Sequence, residues 1–456
     1  MSLDSASFVP ADSLSGRARA ARSSQVDVGA LESKLRKQIS GEVRFDYGAR
    51  ALYATDGSNY RQVPIGVVLP RNNDEVIAAM ALCREFGAPL LPRGGGTSLA
   101  GQCCNVAVVL DFSKYMAGIL SIDPERRTAR VQPGVILDHL RAAAERHRLT
   151  FAPDPATHDR CTLGGMIGNN SCGVHSVMAG KTDDNIESLD ILTYDGTRLS
   201  VGATRSEQLE SIIREGGRRG EIYSGLKALA AKYGDLVRQK FPNIPRRVSG
   251  YNLNFLLPEN GFHVARALVG AEGTCATVLE ATCLLVESPP ERVLLVLAWP
   301  DIFQCADNVP LVMSHKPIGL EGFDDVLVTA TRRRGINSKG LALLPEGNGW
   351  LLVEFGANTK GEAEAQAARL MEELGRFAAP PNMRLLADPA QAKCVWDVRE
   401  SSLGVTSHAP GAPLRWEGWE DSSVSPEKLG GYLRDLRKLM HDYSYEGSFY
   451  GHFGHA

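Results

Sequence analysis

Two glycine-rich loops constrain this chain more than any other feature. They are PRGGGTSLAGQ at residues 92–102 and PDPATHDRCTLGGMIGNNSCG at 153–173. Three successive glycines, Gly94, Gly95 and Gly96, let the backbone curl until several N–H groups converge on one point. Such a concavity binds oxyanions, and Thr97 and Ser98 add hydroxyl donors. A second loop of the same kind implies a ligand long enough to need two grips, such as a dinucleotide. The standard phosphate motifs do not account for the pattern. G-x-G-x-x-G starting at Gly94 needs glycine where Leu99 stands, and a P-loop starting at Gly96 reaches Gly101 but then meets Gln102 and Cys103. Either loop alone is also consistent with an ordinary tight turn.

With 456 residues the chain is too long for one compact core and implies two or three domains. Its 50 Lys+Arg against 53 Asp+Glu give no basic surplus that would point to nucleic acid. No apolar run approaches the roughly 18–20 residues needed to span a bilayer. Residues 1–27 are rich in Ser, Ala and Arg but lack the apolar stretch of a secretory signal, and Asp4, Asp12 and Asp27 argue against an organellar leader. They read as a poorly ordered tail. The nine cysteines include no C-x-x-C, so neither a zinc knuckle nor an iron–sulfur cluster is encoded, and buried free thiols in a reducing cytosol are expected.

Residues 72–86 predict a helix, with Asn72 at its start and Gly87 as its stop. VAVVLDF (106–112) predicts a buried strand and 135–147 a second amphipathic helix. LDILTYDGTRLSV (189–201) predicts a hairpin with a type I′ turn at Asp195-Gly196. After Pro289-Pro290, VLLVLAW (293–299), a helical stretch, WLLVEFGA (350–357) and a helix over 361–377 predict an antiparallel sheet backed by helices. That is an α+β unit of ferredoxin-like character.

The two loops, with DGSNYRQVPIGVVLP (56–70), GKTDDNIESLDILTYDG (180–196), SGYNL (249–253) and VGAEGT (269–274), occur in the order found in one family. The chain resembles the vanillyl-alcohol-oxidase/p-cresol-methylhydroxylase (PCMH) family of FAD-binding proteins. Within it, the FAD-linked D-lactate, glycolate and D-2-hydroxyglutarate dehydrogenases are most similar. The resemblance implies an α+β fold: a tail and lead-in helix (1–40), a two-subdomain PCMH-type FAD-binding domain (41–290) and an FAD-linked oxidase cap (291–456). It implies that Gly94, Gly95, Gly96, Thr97, Ser98 and Gly101 hold the FAD pyrophosphate. It assigns Pro153, Thr162, Gly164, Gly165, Gly168, Asn170, Ser171 and Gly173 to the second cofactor loop, and Glu272, Gly273 and Thr274 to a later flavin contact. Some relatives tether the flavin to a histidine in or just after the first loop. None stands there, so non-covalent FAD is expected. His175 is the nearest alternative attachment point, and reads as a second-loop polar residue facing solvent or ribose.

Oxidation of a 2-hydroxy acid removes a hydride from C2 and a proton from the hydroxyl, and the cofactor takes the hydride. VWDVRE (395–400) resembles the family's W-x-x-R-E motif, which makes Arg399 the carboxylate clamp; the alternative is a structural ion pair with Glu400 or another acid. Arg332–Arg334 read as a solvated face, and Asp324 and Asp325 as exposed turn carboxylates. YGHFG (450–454) matches the first half of the family's G-H-x-G-D-G-N-x-H motif, with His452 as its first histidine. His452 is thus a catalytic candidate. It becomes a ligand for Zn or Mn only if further ligands are supplied, because catalytic sites use about three protein ligands.

The missing half of that motif makes the cap read as truncated, with an open sheet edge and poor solubility. RWEGWEDSSV (415–424), with Glu420 and Asp421, resembles the N-terminal part of long bacterial flavin/iron–sulfur fusion proteins. The resemblance implies FAD-dependent oxidation of a D-2-hydroxy acid in the cytoplasm or peripherally at the inner membrane. Electrons would pass to an iron–sulfur domain or subunit, a quinone or an electron-transfer flavoprotein. A catalytically inert FAD-binding subunit and an alditol or sugar oxidase of the same fold remain as alternatives.

Overall fold

The computed structural model describes residues 26–407, 411 and 422–456. The tail up to Gln25, and Glu420 and Asp421, lie outside the described residues.

The first glycine loop is carried by a mixed sheet. Strands β1 (Glu42–Arg44), β2 (Gly66–Leu69), β3 (Leu90–Arg93) and β4 (Val108–Asp111) lie in the order β1-β2-β4-β3. β2 and β3 run parallel to β4, and β1 is antiparallel at the edge. Parallel strands need a crossover. The helix Asn73–Glu85 supplies it where sequence predicted one, with the Asn72 side chain accepting the N–H of Glu75 at 3.0 Å and Gly87 at φ +65° beyond its end. Gly94 follows directly on β3. The loop therefore leaves the C-terminal end of a parallel strand, where open α/β sheets characteristically bind ligands.

A second, antiparallel sheet orders β5 (Ile119–Asp123), β6 (Thr128–Val131), β10 (Thr277–Leu284), β8 (Ile186–Leu192) and β9 (Arg198–Val201) side by side. β7 (Leu149–Thr150) pairs with β11 (Val286–Glu287) beside it. The β8–β9 hairpin forms as expected, but its turn differs. Gly196 N donates to Thr193 O at 2.9 Å and Thr193 N to Thr197 O at 3.0 Å. Gly196 has φ +92° while Asp195 keeps a negative φ. A type I′ turn needs positive φ at both central residues. The loop is therefore a three-residue type I turn closed by a glycine bulge, and the Asp195 carboxylate accepts from Thr193 and Thr197 to fix it.

The cap is a five-stranded antiparallel sheet: β15 (Asn382–Leu386), β12 (Glu291–Trp299), β14 (Gly349–Ala357), β13 (Gly319–Asp324) and β16 (Tyr450–Gly451), in that spatial order. Its first four strands in chain order have the ferredoxin-like arrangement 4-1-3-2. The uninterrupted apolar run of β12 is explained by burial on both faces. Val293, Leu295, Leu297 and Trp299 pack with the helices Ile302–Asp307 and Lys360–Gly375. Leu294, Val296 and Ala298 pack with Val395 of the helix Pro389–Glu400.

Two expectations are corrected here. The cap sheet, expected to be cut short, is formed and covered on both faces, and β16 lies against the edge of β13. Asp324 is no exposed turn carboxylate. It is buried and accepts from Leu327 N at 3.1 Å, Phe449 N at 2.7 Å and Ser448 Oγ at 2.7 Å, so burial raises its pKa while it joins β13 to the approach of β16. Asp325 and Arg332–Arg334 are exposed as expected.

Phe355 on β14 is fully buried in the cap core. Phe355→Ala is expected to cost about 3–5 kcal/mol, read as a lowered urea midpoint of cap unfolding.

Candidate functional site

The two glycine loops touch. A Cβ on Gly94 would come within 1.9 Å of Thr162 Oγ1, and one on Gly95 within 2.4 Å of the Arg160 carbonyl oxygen. Glycine is required because the first loop is pressed onto the start of the second. Gly96 (φ +66°) and Gly101 (φ +81°) turn the chain through the left-handed region.

The second loop continues into the short helix Leu163–Asn169, capped by Thr162, whose Oγ1 accepts the Gly165 N–H at 3.3 Å. Gly164 fits tightly against Pro133, with a Cβ position 2.9 Å from its carbonyl oxygen. Gly165 and Gly168 behave differently. The nearest atom to a Cβ on Gly165 is Thr162 Oγ1 at 3.4 Å, and for Gly168 it is Glu272 Cα at 4.0 Å. Their bare faces front an open cleft with about 810 Å³ of atom-free space.

Gly94, Ser98, Thr162, Gly164, Gly165, Gly168, Glu272 and Gly273 all line this cleft, so residues drawn from three distant motifs meet as the sequence implied. Gly95, Gly96, Thr97, Gly101, Pro153, Asn170, Ser171, Gly173 and Thr274 do not line it. Asn170, in the left-handed conformation, ends the helix and donates to the buried Asp183 at 2.8 Å. Asn252 of SGYNL donates to the same carboxylate at 3.1 Å and to Val269 O at 2.9 Å. Gly270 N and Glu272 N then donate to the Ile167 and Gly168 carbonyls at 2.8 and 3.0 Å, which fixes the third wall against the helix. Gly173 abuts the backbone of Asp154. Thr274 Oγ1 donates to Ala271 O at 2.6 Å.

Sequence reasoning passed over Ile191 on β8 and Val278 on β10, which give the cleft an apolar wall, and Cys103 and Gln102 after the first loop. The alternation along β10 was the available signal. The two glycine-faced walls and the mixed polar and apolar lining fit an extended dinucleotide such as FAD.

Arg399 and His452 lie outside the cleft lining and form a second cluster around Glu321, which sequence reasoning missed. Glu321 sits on β13 and is 0% exposed. Arg399 donates to its Oε2 through Nε and Nη2, both at 2.7 Å. A further bond runs from Arg399 Nη1 to Ser402 Oγ at 2.9 Å, and the guanidinium rests 5.1 Å from the centre of the Tyr450 ring. The other Glu321 oxygen is bonded to His452 Nδ1. Burial alone would raise the Glu321 pKa; His452 and Arg399 override it and hold it below the usual carboxylate range. His452 is placed by β16 and by Phe453, whose ring lies on Gly322 of β13 where a Cβ would come within 2.4 Å.

Arg399 thus has an acid partner, but it is Glu321 and not Glu400. Glu400 lies 4.0 Å from His158 Nε2, and burial raises its pKa. His455 is buried, and burial together with Lys181, Arg246 and His452 lowers its pKa to about 4. Among the described residues no group of three or more His, Cys, Asp or Glu side chains could hold a metal ion, and His452 commits one ring nitrogen to Glu321.

His175 also departs from expectation. It is buried and faces neither solvent nor the cleft. Its Nδ1 donates to Asp154 Oδ2 at 2.5 Å and its Nε2 to Glu354 Oε2 at 2.7 Å, so neither nitrogen is available for flavin attachment. Cys83, Cys104, Cys161, Cys172, Cys283 and Cys305 are buried and form no disulfide, and burial pushes Cys83 and Cys283 up to about 12.

Comparison with known proteins matches both halves of this architecture. A model of the FAD binding domain covers residues 64–202, and one of the C-terminal domain of FAD linked oxidases covers 288–456. The chain is 31% identical over 437 residues to a D-2-hydroxyglutarate dehydrogenase of Pseudomonas putida, an alignment covering 93% of this chain and 43% of that protein. It is 28% identical to the protein of that name from Escherichia coli (95% of this chain, 44% of the relative). With the glycolate oxidase subunit GlcD of Bacillus subtilis it shares 26% (91% and 77%). The chain therefore spans less than half the length of the D-2-hydroxyglutarate dehydrogenases it matches. Among solved structures, an alkyldihydroxyacetonephosphate synthase superposes with a TM-score of 0.62 at 16% identity, covering 91% of this chain and 75% of that one. At that identity the likeness concerns the fold.

Gly168 has a helical backbone and open space beside it, so a larger residue fits the fold but fills the cleft. Gly168→Leu is expected to weaken FAD binding by about tenfold or more, some 1.4 kcal/mol, in a flavin-fluorescence titration, with the far-UV circular dichroism unchanged.

Proposed function

As the chain belongs to the FAD-linked oxidases, we propose that it oxidises a D-2-hydroxy acid of the lactate, glycolate or 2-hydroxyglutarate class to the 2-oxo acid, with non-covalently held FAD and a final acceptor other than NAD. The observation that carries this reading is the buried Arg399–Glu321–His452 cluster in the cap, in a chain whose other half holds a cleft walled by both glycine loops.

FAD, when bound, supplies a two-electron acceptor for the hydride leaving C2. The first glycine loop and the helix Leu163–Asn169 offer backbone N–H groups and glycine-flat surfaces to its pyrophosphate, and Ile191 and Val278 offer apolar contact. The chain's remaining task is the hydroxyl proton. A histidine whose Nδ1–H is held by a carboxylate presents Nε2 as the proton acceptor and stabilises the imidazolium that results. Glu321 performs that service for His452. Three of the five guanidinium N–H groups of Arg399 are used among the described residues. The other two suit a substrate carboxylate. Arg399 thereby joins the carboxylate grip to the orientation of the base, which merges the clamp and the structural ion pair into one role. No step is assigned to a metal, because the described donor set around His452 does not amount to a metal site.

Electrons are proposed to pass onward to an iron–sulfur domain or subunit, with a quinone or an electron-transfer flavoprotein as the other acceptors of suitable chemistry. An inert flavin-binding subunit is the competing reading, and one experiment separates them. The FAD-loaded protein is followed anaerobically in the visible as D-2-hydroxyglutarate, D-lactate or glycolate is added. Bleaching with at least one acid is expected; a flavin spectrum unmoved by all three, with and without divalent metal, overturns the enzyme reading. Glu321→Gln is expected to slow bleaching by about 10²-fold, the scale of general-base contributions, while the flavin remains bound.

A further inference from the structure

His175 belongs neither to the cofactor cleft nor to the Glu321 cluster, yet its surroundings are more constrained than those of either. The ring is 8% exposed and lies between Asp154 and Glu354, each 7% exposed. Asp154 is held within the second glycine loop: its Oδ1 accepts the His175 N–H at 2.9 Å and its backbone packs on Gly173. Glu354 belongs to the other half of the molecule, on β14 of the cap sheet. The imidazole therefore spans the boundary, with one nitrogen on each side. The charged groups facing it are Asp154 and Glu354 with two arginines. Arg292 of β12 has Nη1 at 3.4 Å from Glu354 Oε2 and 3.1 Å from His175 Nε2, and Arg141 of the helix Leu137–Glu145 has Nη2 at 3.7 Å from Asp154 Oδ2.

Sheet register ties this bridge to the proposed active site. Glu354 pairs with Gly319 and Leu352 with Glu321 across β14 and β13. Side chains two apart on a strand share a face, and so do directly paired residues. Glu354 and Glu321 thus project from the same face of the cap sheet, one pleat apart. The first is anchored to the cofactor loop and the second holds Arg399 and His452.

We propose that His175 is a positioning residue that clamps the cap sheet onto the second glycine loop and so fixes the Glu321–Arg399–His452 cluster relative to the cofactor cleft. The clamp stands on geometry alone, whereas its consequence for turnover rests on the proposed function. Asp154 and Glu354 favour the cationic ring, against the two arginines that also face it. Burial by itself would lower the His175 pKa; Asp154 and Glu354 override that and raise it to about 9. A folded-state pKa raised above the ordinary imidazole value of 6.5 gives stabilisation that is full below 6.5 and lost as pH rises through 9.

The test is hydrogen exchange of the full chain with FAD present, read by mass spectrometry between pH 7 and 10 and corrected for intrinsic exchange. Residues 171–179 and 349–357 report the two sides of the clamp. In the wild type both segments are expected to lose protection together from pH 7 to about pH 9, by up to roughly tenfold per pH unit, and to level off above that. His175→Gln, which cannot become charged, is expected to show the lowered protection already at pH 7 and no step on the way to pH 10. Glu354→Gln makes the same test from the cap side should the first variant fold poorly. Protection that stays flat through pH 10 in the wild type and is unchanged in a folded variant overturns the clamp. Failure of every hydroxy acid to bleach the flavin would remove the proposed activity and leave this result standing by itself.

Discussion

The contact between the two glycine loops is the constraint on which the rest of the molecule depends. Gly94 meets Thr162 and Gly95 meets the Arg160 carbonyl at distances that admit no side chain. Because the loops come from different sheets, this contact joins the parallel β2–β4–β3 unit to the antiparallel β10–β8 unit along one seam. The cleft is the continuation of that seam, kept open where Gly165 and Gly168 carry nothing to fill it. A third wall comes from the 269–274 segment, tied to the helix by backbone bonds and to Asp183 through Asn252. Glycine therefore serves two opposite ends here: at 94 and 95 it lets the two loops press together, and at 165 and 168 it leaves the cleft open.

Charge governs the second level of organisation. An unpaired carboxylate in a protein interior is costly enough that it protonates or finds a cation. Glu321, Glu354 and Asp154 each pair with an arginine and share a hydrogen bond with a histidine. Glu321 gathers Arg399 from a helix and His452 from the last strand; Glu354 and Asp154 share His175 across the boundary of the cap. Such pairs contribute little net stability against a hydrophobic alternative, but they specify geometry, because the partners must meet in one arrangement to be satisfied. A site that must hold a base and a carboxylate grip beside a cofactor has use for that kind of specification.

Much of this was legible in the chain itself. The helix at 73–85 was announced by Asn72 and Gly87, and the buried cap sheet by the unbroken apolar run of β12. The cofactor loops were legible because glycine clusters report a backbone requirement, which is local. The errors fell where the deciding partner is remote. Asp324 looked like an exposed turn acid, since nothing local shows that Phe449 and Ser448 will donate to it. His175 looked like a cofactor-facing polar residue because Glu354, its second partner, lies 179 positions away. The Asp195-Gly196 turn was placed correctly and typed wrongly, since either turn accepts that dipeptide and the strand register chooses between them.

By itself the sequence determined the modules: two backbone-lined grips for a dinucleotide, a strand-rich cap, and a histidine and an arginine of the sort that handle hydroxy acids. The grips and the cap follow from backbone freedom and hydrophobic periodicity, which act over a few residues and are written in neighbouring letters; the histidine and the arginine were singled out by the family resemblance of their motifs. The tertiary structure alone decided which of the glycines face the ligand, that Arg399 and His452 meet on Glu321, and that the cap is anchored through His175. Those outcomes depend on the desolvation of charges brought together from distant positions, and burial of that kind exists only once the chain has folded.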